Sequence, residues 1–97
     1  MKITFEAKIW MWQGGKASWY FVTLPHDDAI NLKLHNAFNL RGFGSIRVQV
    51  KIGNTTWQTS VFPSTKDQTY ILPIKTAVRR SENITKDDIV TIELENI

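Results

Sequence analysis

The stretch GSIRVQVKIGNTTWQTSVFP, residues 44–63, decides the fold. Apolar and polar residues alternate with period two on both sides of Gly53-Asn54, a pair suited to a two-residue hairpin turn. With Ile52 and Thr55 flanking that turn, the register follows. Val50 faces Trp57, Val48 faces Thr59 and Ile46 faces Val61 on one side. The opposite side pairs Lys51 with Thr56, Gln49 with Gln58 and Arg47 with Ser60. One face is therefore buried and the other is wet.

Working outward, the N-terminal stretch alternates in the same way. Ile3, Phe5, Ala7, Ile9 and Met11 share one side, and Thr4, Glu6, Lys8, Trp10 and Trp12 share the other. This reads as one long strand ending in a turn at Gln13-Gly14-Gly15-Lys16. Residues 17–24 alternate again, with Ser18, Tyr20, Val22 and Leu24 opposite Trp19, Phe21 and Thr23. A four-residue loop between the two strands sets Trp10 beside Trp19. Pro25 ends the second strand, and His26-Asp27-Asp28 offers caps and negative charge for a helix reaching about Asn39. Its expected inner stripe is Ile30, Leu34, Ala37 and Phe38, with Leu32 pointing away.

Beyond Pro63 a polar loop precedes a short strand at residues 69–72, which Pro73 ends. A short helix follows from Ile74 to about Asn83, with Ile74, Ala77 and Val78 inward, and a last strand occupies residues 89–95. The expected architecture is mainly β: a small, mostly antiparallel six-stranded β-barrel or strongly curled sheet, with one longer and one short helix. The 97 residues form one domain, large enough to bury roughly 60–65% of the unfolded surface. There are no cysteines, hence no disulfide and no thiolate metal site, which fits a reducing cytoplasm. Lys2 interrupts any secretory apolar run, and no segment approaches membrane-spanning length, so an intracellular soluble protein is expected.

Catalytic and metal constellations are poor. His26 and His35 are nine residues apart and fall on opposite sides of one helix, so they cannot share a metal. Asp27-Asp28 and Asp87-Asp88 are adjacent carboxylates that suit the capping of backbone donors better than acid–base work. No nucleophile elbow or phosphate loop is present. The chain is therefore expected to be no enzyme and to need no cofactor, with an uncharacterised enzyme ranking third among the readings.

Two features invite a binding role. Trp10, Trp12, Trp19 and Phe21 lie opposite the apolar Ile3, Phe5, Val22 and Leu24 set, so both faces of the first hairpin carry large hydrophobes. Either one set fills the barrel while the helix covers the other, or some of these rings line a cleft suited to flat ligands. Lys75 and Arg79 share a helix face, with Glu82 three residues beyond Arg79. A solvated basic face explains them, and so does a site for a carboxylate or phosphate, which the planar Arg79 fork could bind at two points. Aromatics beside Lys and Arg also admit single-stranded nucleic acid as an alternative. Against it, the aromatic strand carries Glu6, and a net charge of +3 without a dense basic run is mild.

The stretches WYFVTLP (19–25), RGFG (41–44), IGNTTWQTSVFP (52–63), YILPIK (70–75) and AVRR (77–80) together resemble a bacterial family. It is the family called domain of unknown function nineteen-oh-five, and the similarity runs in order through nearly the whole chain. The resemblance implies a small antiparallel β-barrel and no assigned activity. Some relatives carry the domain beside one linked to bacteriocin protection, and no such neighbour is expected here. Relatives typically have Gly-Asp before the final strand, where this chain has Asp87-Asp88. If that turn needs a positive φ, Asp87 tolerates it, which favours a turn-forming role for the pair. The leading expectation is a non-enzymatic module binding a small anionic or aromatic ligand, or a protein partner, in a cleft between barrel and helices. Trp19, Phe21, Trp57 and Tyr70 are expected to supply its walls, and Arg41, Lys75 and Arg79 to orient a negative group.

Overall fold

A computed structural model describes residues 1–38 and 44–97. Its strands are β1 (Lys2–Lys8), β2 (Trp10–Gly14), β3 (Ala17–Thr23), β4 (Ile46–Ile52), β5 (Thr55–Ser64), β6 (Thr69–Pro73) and β7 (Ile89–Asn96). Helix α1 (His26–His35) follows β3, and α2 (Thr76–Glu82) follows β6. The strands form one antiparallel sheet in the order β1-β7-β4-β5-β6-β3-β2, curled into a half-barrel. The mainly β architecture with one longer and one shorter helix is thus as expected, but the described strands number seven rather than six.

The extra strand arises at Ile9. The expected single N-terminal strand divides there, because β1 pairs with β7 while β2 pairs with β3. Ile9 itself is fully buried, and it exchanges backbone hydrogen bonds with the turn before β7: Ile9 N–H donates to Asp88 O and Asp87 N–H donates to Ile9 O, both at 2.8 Å. Strand β5 makes the same kind of crossing. Its ten residues pair first with β4 and then, from Phe62 to Ser64, with β6. The sheet therefore has two halves, joined at Ile9 and along β5.

The β4–β5 hairpin has the expected register throughout, from Ile52 opposite Thr55 to Ile46 opposite Val61. Gly53 takes a positive φ of 56° while Asn54 does not, the pattern of a type II′ turn that matches strand twist. The β2–β3 hairpin turns more tightly than the four-residue loop expected. Gly14 faces Ala17 across Gly15-Lys16, so Trp10 sits opposite Phe21 and Trp12 opposite Trp19. The slip is two residues, an even number, so each side chain stays on its expected face.

Inner-face residues from both halves, including Phe5, Ile92, Val48, Trp57, Leu72 and Val22, form one core cluster. Both helices close its concave side. α1 contributes Ala29 and Leu32, and α2 contributes Val78, flanked by Ile74 and Ile84. The α1 face is opposite to expectation: Leu32 is fully buried, whereas Ile30, Leu34 and Phe38 are exposed. Ala29, Leu32 and Asn36 sit at i, i+3 and i+7 and present the narrower stripe to the sheet. Buried Asn36 fits there because its Nδ2 donates to Leu32 O at 2.8 Å and its Oδ1 accepts from Asn96 Nδ2 at 3.4 Å. The helix ends at His35, short of the expected Asn39, which lies outside the described residues. Ala77, expected inward on α2, is exposed.

Asp87 has φ 74°, and Asp88 Oδ2 accepts a hydrogen bond from Thr85 N–H at 2.8 Å. This acidic pair builds the turn into β7. His26 and His35 are exposed and donate to the backbone oxygens of Asp67 and Asn31. Among the described residues, no group of three His, Cys, Asp or Glu side chains could hold a metal, and no helix is long and apolar enough to cross a membrane.

Candidate functional site

Strand β6 stops at Pro73, opposite Phe21, and the chain turns away into α2. Among the described residues, the N-terminal part of β3, around Ser18 and Trp19, has no strand partner on that side. The ladder ends at Ile74, whose N–H donates to Tyr20 O at 2.8 Å and whose carbonyl accepts from Arg79 Nε at 3.2 Å. Between the uncovered β3 and the start of α2 lies a cleft of about 320 Å³, lined by Ser18, Trp19, Tyr20, Lys75, Thr76 and Arg79 together with Pro73 and Ile74.

Arg79 is the most constrained charge there. Its guanidinium carbon lies 3.7 Å from the centre of the Tyr20 ring, and its Nη2 donates to Thr76 Oγ1 at 2.9 Å. Stacking and two hydrogen bonds fix the plane of the fork, leaving the Nη1 end without a protein partner among the described residues. The intrahelical pair with Glu82 does not form. Glu82 instead accepts from Thr55 Oγ1 at 2.6 Å and rests over Gly53, tying the end of α2 to the β4–β5 turn. Lys75 is exposed at the helix start and makes no ion pair among the described residues. Among the described residues, no carboxylate lines the cleft.

Three expected site residues, Trp19, Lys75 and Arg79, therefore meet in one place. The others do not join them. Trp57 is 8% exposed and packs in the core opposite Val50, because the period-two register of β5 turns it inward. Phe21 lies on the outer face of β3, stacked on Trp10 with ring centres 4.8 Å apart. Tyr70 faces the core and a different groove, of about 380 Å³, between α1 and the β5–β6 hairpin, with Ala29, Ile30, Lys33 and Pro63 among its lining. Burial pushes its phenol pKa up. Arg41 lies outside the described residues.

Tyr20, the platform beneath Arg79, was not among the expected site residues. Alternation places it inward with Val22, and only the β3–β6 pairing brings it under α2. A weak signal existed: Thr76 and Arg79 are three apart, the spacing at which one side chain can hold the other on a helix.

Among the described residues no helix covers the aromatic set on the outer face, contrary to one of the two sequence readings. Trp12 and Trp19 are each 54% exposed, and Phe62, on the same side of the sheet in the row of Ile71 and Thr23, is exposed as well. Trp10 Nε1 donates to Thr23 Oγ1 at 2.9 Å, which lays that indole along the strands. The Trp12 ring lies over Gly14, where a Cβ would collide with it. What the geometry offers is a cation-lined aromatic cleft opening onto an exposed aromatic surface.

Among curated proteins, none matches this chain at a significant level. The family model for Domain of unknown function (DUF1905) matches residues 5–94, and the chain belongs to that family.

Proposed function

We propose that the domain is a non-enzymatic binding module whose cleft takes a small anion carrying a flat apolar group. One observation carries this reading: the Arg79 fork is held against Tyr20 in a cleft that the half-exposed Trp19 also lines. A carboxylate or phosphate would pair with the free end of the fork and with Lys75, and the apolar part would lie against the indole. No carboxylate in the lining competes for the cations, and no carboxylate or histidine there is placed to act as a general base. The reading includes the cytoplasm of a bacterium, as the family resemblance suggests and as suits a cysteine-free chain.

Calorimetric titration with phenyl phosphate and with benzoate tests it, using neutral benzyl alcohol as the control. The expected result is saturable binding of the anions, weakened about tenfold or more in Arg79→Gln, and no saturable binding of the alcohol. Equal affinity in Arg79→Gln, or no saturable heat with either anion, would overturn the reading.

A further inference from the structure

The outer face of the sheet is divided. Along β5, β6, β3 and β2 it carries the row Phe62, Ile71 and Thr23, then Pro73, Phe21 and Trp10, and finally Trp19 opposite Trp12. No charged side chain belongs to this patch. Residues 9–26 and 68–81, which carry all of the patch but Phe62, contain Lys16, Lys75, Arg79 and Arg80 and not one carboxylate; beyond Phe62, Asp67 in the β5–β6 turn accepts from Ser64 Oγ at 3.2 Å. Glu6, which weighs against nucleic acid when the first strand is read as continuous, sits in β1 opposite Thr91, beyond the break at Ile9 and in the other half of the sheet.

From this we infer that the exposed Trp12–Trp19 face is a docking surface for single-stranded nucleic acid, with the two indoles as base-stacking platforms and Lys16, Lys75 and Arg79 as phosphate contacts. The choice of occupant rests on charge complementarity and on ring geometry. Cations at the Trp12–Trp19 end of the patch, Lys16 in the β2–β3 turn and Lys75 and Arg79 in the cleft that Trp19 also lines, repel a second copy of the same face and attract a polyanion. The Trp12 ring reaches over Gly14 and remains 54% exposed, and the equally exposed Trp19 lines the cleft. Flat, half-exposed rings suit unpaired bases, whose π-faces stack irrespective of sequence. An acidic peptide would satisfy the cations but would leave the indole faces without matching partners. The surface shares Trp19, Lys75 and Arg79 with the cleft, and Trp12, which is not part of the cleft lining, distinguishes the two readings.

The test is titration of tryptophan fluorescence with a thymidine dodecamer, with an oligo-glutamate peptide of equal length in parallel. At about 20 mM salt the dodecamer is expected to bind and quench, and the peptide to bind at least tenfold more weakly. Trp12→Ala should weaken dodecamer binding about tenfold, and Trp12→Tyr should restore most of it. Phenyl phosphate binding should be the same in Trp12→Ala as in the wild type. With three phosphate contacts, raising salt from about 50 to about 200 mM should weaken the complex about 20-fold. Absence of dodecamer binding at low salt overturns the inference while leaving the cleft reading intact. So does peptide binding as tight as the dodecamer's, or a dodecamer affinity indifferent to Trp12→Ala.

Discussion

The two halves of the sheet are alike inside and unlike outside. Within, both present buried aliphatic side chains to the same core: Ile92, Leu94 and Val48 from one half, Val22 and Leu72 from the other. Outside, β1, β7 and β4 carry Lys2, Glu93, Lys51, Gln49 and Arg47, with Lys2 Nζ 2.9 Å and Lys51 Nζ 4.0 Å from the Glu93 carboxylate. The outside of β2, β3 and β6 is tryptophan, phenylalanine, isoleucine and proline. Packing accounts for the inner faces of both halves and for the polar exterior, since a solvated face needs only charge and hydrogen-bonding capacity. It does not account for two indoles left 54% exposed, and that difference points the search for function to the aromatic half.

The largest effect should come from turning the same residue type against itself. Trp57→Ala removes a core ring that is 8% exposed and should cost about 3–5 kcal/mol in denaturant unfolding. Trp12→Ala, on the outer face, should change stability by no more than about 0.5 kcal/mol. A Trp12→Ala cost near that of Trp57→Ala would show that the outer aromatics are packing after all.

Next in size is the link between the β4–β5 turn and α2 at Gly53. Gly53→Ala places a side chain at φ 56° and drives its Cβ into the Glu82 carboxylate, which must then release Thr55. The expected cost is about 2 kcal/mol, and in a Glu82→Ala background it should fall to the conformational part alone, about 1 kcal/mol. Equal costs in both backgrounds would show that Glu82 does not brace the turn.

The smallest effect belongs to the polar half. The Glu93 carboxyl is held below its ordinary pKa by the hydrogen bond and charge of Lys2, and Lys2 is raised by the same contact. A carboxyl depressed in the folded state stabilises above its unfolded value and ceases to do so as pH falls through the folded one. The raised Lys2 acts in reverse, losing its contribution only as pH rises through its folded value. Wild type should therefore exceed Lys2→Met in stability near neutral pH and low salt, with the difference shrinking below about pH 4. A difference that persists in acid would mean that the lysine acts through packing instead.

The β4–β5 hairpin was fully legible because a two-residue turn leaves a single register and its alternation has one buried face. The division at Ile9 was not. Ile9 is inward in the long-strand reading and inward in the fold, so alternation runs through the break and carries no trace of the change of partner. The α1 face was misread because apolar residues occupy both sides of that helix: the larger set, Ile30, Leu34 and Phe38, stays outside while the sheet takes Ala29 and Leu32. For the site, charge and aromatic type singled out Trp19, Lys75 and Arg79. Tyr20 was hidden, since its meeting with Arg79 depends on where β6 leaves β3, a fact of pairing between distant strands.

The most direct test of the account is the map of amide and side-chain shifts when the labelled domain is titrated with phenyl phosphate. Saturable shifts are expected, concentrated at Ser18, the Trp19 indole N–H, Tyr20, Lys75, Thr76 and the Arg79 Nε–H. Shifts centred instead on Ala29, Lys33, Ser64 and Tyr70, in the groove beside α1, would contradict the account, as would a spectrum that does not respond.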